Sequence, residues 1–300
     1  MILIATVICI ALELFSPWVT PHRNYHWFQA YGVRIHNMLG GWSIWSGPAG
    51  VLSVLLPLVI LMTLLQNALD GFALDLPLLA LSIFVLGYCL RYDPVEKTID
   101  DCIAAHERGD DEAAVLHTTE LGLETDTGSS DPVRLMTDAI LTQPVERLFS
   151  VIFWFVLLGP LGALLYRLTW LLHVHPAPGW IEDQAFQNTA KRLQGILDWL
   201  PVRLLAIGYA LTGSFEEAIH EWRDHENTTS ADIGITNQTI LRYAGYGAIH
   251  LDRFESAVTE GEDPRLETTA IRAARGLVLR SLLAWVIVIA LISLAGWAAW

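Results

Sequence analysis

The chain has few cysteines and few basic residues, and each scarcity argues against a class of protein. Its 300 residues include three cysteines, of which Cys9 and Cys89 lie inside apolar runs. This number and placement predict buried thiols and argue against a disulfide framework. Lysine and arginine total 18 against 32 acidic residues, which gives a net charge of −14. Such acidity argues against nucleic acid or anionic lipid as a general partner. Adaptation to a saline environment would explain the acidity equally well.

Charged residues of either sign are also scarce. They make up 17% of the chain, whereas 53% of the residues are hydrophobic and the mean hydropathy is +0.42. This composition is typical of an integral membrane protein. The first apolar segment has no basic start and no small-residue cleavage site, so we interpret it as a retained anchor.

Six apolar segments meet or approach the roughly 20 residues with which a helix crosses a bilayer. They are residues 1–15, 44–65, 74–90, 148–172, 195–212 and 277–300. Strand signals are poor throughout. The sequence therefore predicts an all-α, polytopic helical membrane protein with about six membrane segments, of which 195–212 either crosses or is re-entrant.

Basic residues predict the orientation, because cytoplasmic loops carry an excess of lysine and arginine. If all six segments cross and the N-terminus lies outside, the external loops hold only Lys191 and Arg192. If 195–212 does not cross, arginines that follow it fall outside as well. The count therefore favours a crossing or a deep excursion there, with both termini outside.

The segments divide the chain into five regions. Residues 1–90 hold three membrane segments, and 147–212 hold the next ones. Residues 91–146 are predicted to be an acidic cytosolic region of helical hairpins, because apolar residues recur at helical spacing on either side of a turn. Residues 213–276 repeat this style in a second cytosolic helical region, and 277–300 form the last membrane helix.

Three residues inside 195–212 are unfavourable in a membrane helix, namely Asp198, Pro201 and Arg203. A charge at the bilayer centre costs about 2.5–3.5 kcal/mol on insertion scales. A proline removes a backbone hydrogen bond that neighbours have to replace. Asp198 and Arg203 need partners on another helix, for which Glu13 or Arg147 could serve. The group is either an ion pair that fixes helix packing or a site for a polar ligand.

The sequence indicates no catalytic residue, no metal site and no cofactor. The stretch HEWRDH at residues 220–225 resembles a zinc protease motif, but its second histidine is five residues on instead of four. His173 and His175 lie on the opposite side of the membrane in the predicted topology. No phosphate-binding loop is present, because the glycine pairs lack the lysine that such a loop needs.

Two stretches carry a resemblance to a known family. They are ERLFSVIFWFVLLGPLGALLYRLTWLL at 146–172 and AKRLQGILDWLPVRLLAIGYALTGSFEEAIHEW at 190–222. Both resemble the AmpE family of inner-membrane proteins, within the superfamily of CobD/CbiB adenosylcobinamide-phosphate synthases. The strongest matching positions are Glu146, Arg147, Phe153, Trp154, Gly159, Gly162, Tyr166, Arg167, Leu197, Asp198, Trp199, Pro201, Val202, Arg203, Leu204 and Tyr209. Glu13, Pro17, Pro21 and His22 agree more weakly.

The resemblance implies a scaffold from which the ligase site has been lost. The synthases carry an Asn-Thr-Leu-Asp motif after the glycine-rich helix, whereas the corresponding residues 168–171 here read LTWL. Their Glu-Asn-Thr-Val-Asp-Gly motif is reduced to ERLF at 146–149. The polar groups that would hold ATP and a corrin amide are thus mostly missing.

The resemblance therefore implies a non-catalytic protein of the bacterial inner membrane, linked to signalling around cell-wall recycling and β-lactamase induction. A polar cavity around Arg203 would bind an anionic small molecule or a partner protein. The alternatives are an ATP-dependent amide ligase, and a transporter or assembly factor. The expected ligand-binding residues are Glu13, His22, Glu146, Arg147, Arg167, Asp198 and Arg203.

Overall fold

Helices make up the part of the chain that the structure describes. The computed structural model describes residues 5–10, 25–39, 47–71, 76–90, 132–181, 183–226, 233–251 and 265–295, together with 101, 104 and 108. The helices are α1 (His26–Leu39), α2 (Pro48–Leu69), α3 (Leu76–Cys89), α4 (Pro132–Pro144), α5 (Ser150–Leu158), α6 (Pro160–Val174), α7 (Pro178–Ile181), α8 (Gln184–Thr212), α9 (Phe215–Glu226), α10 (Ile233–Ile249) and α11 (Arg265–Leu294). A π-helical turn at Val145–Phe149 joins α4 to α5. The predicted all-α class is confirmed.

Among the described residues, four helices are long and apolar enough to cross a membrane. They are Pro48–Leu69, Arg134–Leu158, Gln184–Thr212 and Thr269–Leu294, and the apolar helix Leu76–Cys89 is shorter. The chain is therefore a polytopic helical membrane protein, as the sequence predicted. The side of the membrane on which each loop lies stays a prediction.

The apolar segment 148–172, predicted as one crossing, contains an antiparallel hairpin instead. Gly159 ends α5 with φ 66°, and the proline after it begins α6. Ser150 and Tyr166 donate to the same carboxyl oxygen, and Trp170 donates to Glu146. Residue 150 thus lies opposite 166, and residue 146 lies opposite 170. Both pairs are symmetric about residue 158, so the two helices run in opposite directions. Hydropathy missed the turn because the residues on both sides of it are apolar.

The two helices of this hairpin touch backbone to backbone at one point. A Cβ atom on Gly162 would lie 2.1 Å from the Trp154 carbonyl oxygen, well inside van der Waals contact. Only glycine therefore fits at position 162 in this geometry.

Helix α8 runs through Pro201 without a break. Asp183 caps it by accepting hydrogen bonds from the backbone N–H groups of Ala185 and Phe186. Proline lacks an N–H, so it leaves the carbonyl four residues earlier without its helical donor. That carbonyl belongs to Leu197, and Trp154 of α5 donates its indole N–H to it at 3.1 Å. The hairpin thus supplies the hydrogen bond that proline removes.

Helices α9 and α10 form a second hairpin that packs on α8. A Cβ atom on Gly195 would lie 3.2 Å from the backbone nitrogen of Gly234, and one on Gly213 would lie 2.6 Å from the Ala248 oxygen. Asn237 also donates to the Gly195 carbonyl at 2.9 Å. These close contacts fix α10 along the length of α8. They join α8 to the region 213–276, in which α10 lies.

A buried ion pair joins α4 to α10. Arg242 Nε lies 3.1 Å from Asp138 Oδ2, with side-chain exposures of 25% and 8%. The Tyr246 hydroxyl donates to the other oxygen of Asp138. No sequence pattern indicated this pair.

The apolar core has two parts. The larger contains Phe149, Phe155 and Tyr209, and the second surrounds Phe28 and Trp180 at the loop between α6 and α8. Hairpin α5–α6 lies between the two parts, because α6 contributes residues to both.

Candidate functional site

The π-helical turn before α5 places a carboxylate in the bundle. Pro144 has no N–H to continue the α-helical pattern, and the Ser150 N–H bonds to the Val145 carbonyl five residues earlier. The extra residue in this turn rotates Glu146 relative to a regular helix. Glu146 Oε2 accepts the indole N–H of Trp170 at 2.9 Å.

Asp198 lies at the centre of the site and is buried. Its Oδ1 atom accepts hydrogen bonds from the hydroxyls of Ser150 and Tyr166, each at 2.7 Å. Its Oδ2 atom accepts from the side-chain amide of Gln194 at 2.9 Å. The carboxylate therefore joins α5, α6 and α8, and only neutral donors contact it within the described part of the chain.

The two carboxylates also lie close enough to interact. Glu146 exerts an electrostatic effect on Asp198, and like charges at short range are unfavourable in a medium of low dielectric constant. A carboxylate inside an apolar bundle is costly to keep when no cation pairs with it. Its three hydrogen bonds offset part of that cost.

Arg167 is a buried cation next to this group. Its guanidinium donates from two nitrogens to the Cys89 carbonyl at the end of α3, with the Nε contact at 2.7 Å. It also lies 4.9 Å from the centre of the Trp170 ring, within the range of a cation–π interaction. Trp170 thus contacts both Glu146 and Arg167.

Aromatic rings extend the site toward the loop after α6. The ring of Tyr25 stacks on His175 at 5.7 Å and meets Trp170 and Tyr88 edge to face. The Trp27 indole N–H donates to the Tyr88 hydroxyl at 2.6 Å. The N-terminal end of α1 and the C-terminal ends of α3 and α6 therefore meet beside Glu146.

The structure brings together some of the expected residues. Glu146, Arg167 and Asp198 lie around α6, and Arg147 is in the π-helical turn next to Glu146. Arg203 is five residues after Asp198 and therefore lies on another face of α8, where its guanidinium donates to the Trp199 carbonyl and lies 4.2 Å from the centre of the Trp199 ring. Glu13 and His22 fall outside the described residues.

Other site residues were not expected to bind a ligand. Tyr166 was named only as part of the resemblance, and Ser150 gave no signal. Gln194 could have been found, because it precedes Asp198 by four residues and therefore shares its helix face.

No group of three or more histidine, cysteine, aspartate or glutamate side chains suited to a metal ion occurs among the described residues. His220 of the HEWRDH stretch lies 3.5 Å from Asp224, and both side chains are exposed. The ring of His225 stacks on Tyr243.

Fold and site together define a class: all-helical membrane proteins in which a hairpin and a proline-containing helix enclose a buried carboxylate. The family model described as "Regulatory signalling modulator protein AmpE" matches residues 46–298. This chain belongs to that AmpE family.

The chain is also similar to curated proteins of two names, AmpE and CobD. The chain is 25% identical to Protein AmpE of Shigella flexneri over 170 residues, which are 53% of this chain and 58% of that protein. It is 30% identical to Cobalamin biosynthesis protein CobD of Stutzerimonas stutzeri over 130 residues, 43% of this chain and 41% of that protein. A protein of the same name from Chromobacterium violaceum is 32% identical over 97 residues, 32% of this chain and 30% of that protein.

Each of these matches spans less than two thirds of the relative's own length. No solved structure matches the chain. Several residues that carry the resemblance form the hydrogen bonds of this region, namely Glu146, Trp154, Tyr166 and Asp198.

Proposed function

We propose that this chain is a non-catalytic regulatory protein of the bacterial inner membrane. In this proposal it modulates β-lactamase induction in response to events in cell-wall recycling. The description of the matching family supports a regulatory role, and the membrane-spanning helices support the location. The observation that carries the proposal is that Asp198 and Arg203 lie on different faces of α8, one inside the bundle and one outside it.

Five residues of an α-helix turn through about 500°, so Asp198 and Arg203 lie about 140° apart around α8. Asp198 faces the bundle, where it is bound by Ser150, Tyr166 and Gln194. Arg203 is partly exposed and lies against Trp199, of which 48% is exposed. One face of α8 is thus fixed inside the bundle, while the other presents a cation and an indole.

An anionic small molecule or a partner protein would bind at Arg203 and Trp199. Arginine and tryptophan are enriched where binding energy is concentrated at interfaces. The carboxylates of Glu146 and Asp198 repel an anion, which supports placing it on the outer face. A shift of α8 on binding would reach the α9–α10 hairpin through the contacts of Gly195 and Gly213.

The test is β-lactamase induction in a host that lacks its own copy of this protein. We expect Arg203→Ala to reduce the response while the protein remains at normal abundance in the membrane. Arg280→Ala is the matched control, because Arg280 is also exposed and also donates to the carbonyl four residues earlier, at Gly276. A wild-type response of Arg203→Ala would refute the site, and loss of response in both variants would refute its specificity.

The CobD relatives favour a second candidate, an ATP-dependent amide ligase. The identity of 30% over 130 residues supports it. Purified protein that hydrolyses ATP in the presence of Mg²⁺, and loses this activity in Glu146→Gln, would favour the ligase. Absence of ATP binding under these conditions would leave the regulatory proposal as the better one.

A further inference from the structure

An open groove lies beside the first half of α8, apart from the carboxylate site. Its volume is about 560 Å³, within the range of about 300–1,000 Å³ that small-molecule sites occupy. The start of α2 and the start of α10 form its other walls. Its lining residues are Pro48, Asn188, Thr189, Lys191, Arg192, Leu193, Ile196 and Ile233.

One half of the groove is cationic. Lys191 and Arg192 are exposed neighbours in the sequence, and neither forms an ion pair or a hydrogen bond with another described residue. Asn188 and Thr189 add an amide and a hydroxyl one turn earlier on the same helix. The Thr189 hydroxyl already donates to the Ala185 carbonyl, so the two cations and the Asn188 amide form the binding set for an anion such as a phosphate group.

The other half of the groove is apolar. Pro48, Leu193, Ile196 and Ile233 line it, and 54% of Ile196 is exposed. The groove therefore combines an anion-binding end with a surface that suits a hydrocarbon chain.

The position of the groove along α8 matches the layers of a bilayer. The mostly apolar membrane segment 195–212 of α8 begins three residues after the two cations. Basic residues at the end of a membrane helix lie at the level of the lipid headgroups, where they attract anionic lipids. The apolar residues of the groove then lie at the depth of the acyl chains.

We propose that this groove binds an anionic phospholipid, with its phosphate at Lys191 and Arg192 and its acyl chain along Ile196 and Ile233. The net charge of −14 does not oppose this, since fields of distant charges are screened within about 8–10 Å at ordinary salt. The acidity of the chain argues against contact with a broad anionic surface. Binding of one lipid in the groove requires only that its phosphate lies beside the two cations.

A bound lipid would stabilise the contact between α8 and α10. Ile233 lines the groove, and the next residue, Gly234, lies against Gly195 of α8. Asn237 donates to the Gly195 carbonyl one turn further along α10. Gln194, which donates to Asp198, precedes that glycine. The lipid therefore binds next to the residues that connect α8 to the carboxylate site.

Binding is tested with purified protein in a neutral detergent and short-chain soluble lipids. The probes are dihexanoyl phosphatidylglycerol, dihexanoyl phosphatidylcholine, and glycerol phosphate without acyl chains. We expect the first to bind more tightly than the other two, measured by calorimetry and by the thermal unfolding temperature. Glycerol phosphate that binds as tightly would overturn the lipid and assign a site for a soluble phosphate. Phosphatidylcholine that binds as tightly would overturn the role of the two cations.

The matched variants remove the charges without touching the buried core. Each cation near anionic lipid is worth about 1 kcal/mol, so the double variant Lys191→Gln, Arg192→Gln should weaken binding by about thirtyfold. Arg280→Gln, which removes an exposed cation from α11, should leave the affinity unchanged. Equal losses in both variants, or none in the double variant, would overturn the site. This assay does not depend on β-lactamase regulation, so the two proposals fail separately.

Discussion

The indole of Trp154 donates to the carbonyl of Leu197, the group that Pro201 leaves without its helical donor. This bond explains how a proline lies in the middle of a helix that crosses a membrane. Lipid offers no donor for an unpaired carbonyl, so a neighbouring helix has to supply one. It also fixes α5 against α8 directly beside Asp198.

We expect Trp154→Phe to destabilise the fold by about 1–3 kcal/mol, the cost of a buried polar group left unpaired. The loss depends on the proline. In a Pro201→Ala background the new N–H at position 201 can serve the Leu197 carbonyl, so the same change should cost less. Unfolding by denaturant in detergent gives the free energies of the wild type, the two single variants and the double variant. The loss of indole packing is common to both backgrounds, so an equal cost in each would contradict the proposed bond.

The close contact between the helices of hairpin α5–α6 gives a second prediction. Gly162→Ala places a Cβ atom 2.1 Å from a backbone oxygen of α5, and the hairpin has to open to relieve it. We expect a cost of about 1–3 kcal/mol or more. Gly276→Ala is the matched control, since nothing lies within 4 Å of its added atom. Alanine favours a helix over glycine by up to about 1 kcal/mol, so the control should be neutral or stabilised. Similar effects of the two variants would contradict the close approach.

The fold class and most membrane helices could be predicted from hydropathy, because burial in lipid demands long apolar runs whatever their packing. The direction of the chain inside 148–172 could not, because Gly159 reverses a run that is apolar on both sides. Asp198 was found because a charge in an apolar run is costly wherever it packs. Its donors Ser150 and Tyr166 lie 48 and 32 residues away in sequence, and no local pattern predicts which distant hydroxyls a carboxylate will meet.

Arg203 shows the limit of the same energetic argument. The sequence grouped it with Asp198 because both charges lie in one apolar run. The turn of the helix separates them, and the long side chain lies along Trp199 instead of entering the bundle. The separation of Asp198 from Arg203 can be predicted only if the helix continues through Pro201. A proline inside a helix often kinks or breaks it, so the sequence does not establish this continuity.

The buried pair of Asp138 and Arg242 gives a third prediction. Asp138→Ala leaves a largely buried guanidinium without its partner, and the expected cost is about 3 kcal/mol, the lower end of the range because Arg242 is a quarter exposed. Removing both charges with leucine at each position should recover most of that loss. The comparison is Asp224→Ala in the exposed pair with His220, for which the expected cost is below about 1 kcal/mol. Unfolding free energies measure all of these. Equal costs for the two single variants would show that burial does not decide the strength of the pair.

His173 gives the last prediction, which concerns pH. It lies after the apolar segment 148–172, and its Nδ1 atom is buried with no hydrogen-bond partner among the described residues. Burial lowers the pKa of His173 from its ordinary value of 6.5, the positive charge of Lys191 lowers it further, and Glu146 opposes the two. The unfolded chain therefore binds a proton at a pH where the folded chain does not. Above pH 6.5 His173 is neutral in both states and does not reduce the free energy of unfolding. As the pH drops below that value, the unfolded chain takes up the proton first, so the free energy of unfolding falls.

We expect His173→Gln to lose less stability than the wild type between pH 7 and pH 5, measured by unfolding in detergent at each pH. Lys191→Gln removes the charge that lowers the pKa of His173, so it should reduce the same pH dependence in part, because the effect of burial remains. Lys191→Arg keeps the charge and should leave the wild-type slope. A slope that is unchanged in His173→Gln would assign the pH dependence to other groups. A slope reduced equally by Lys191→Gln and Lys191→Arg would show that the contact of the lysine, and not its charge, acts on the histidine.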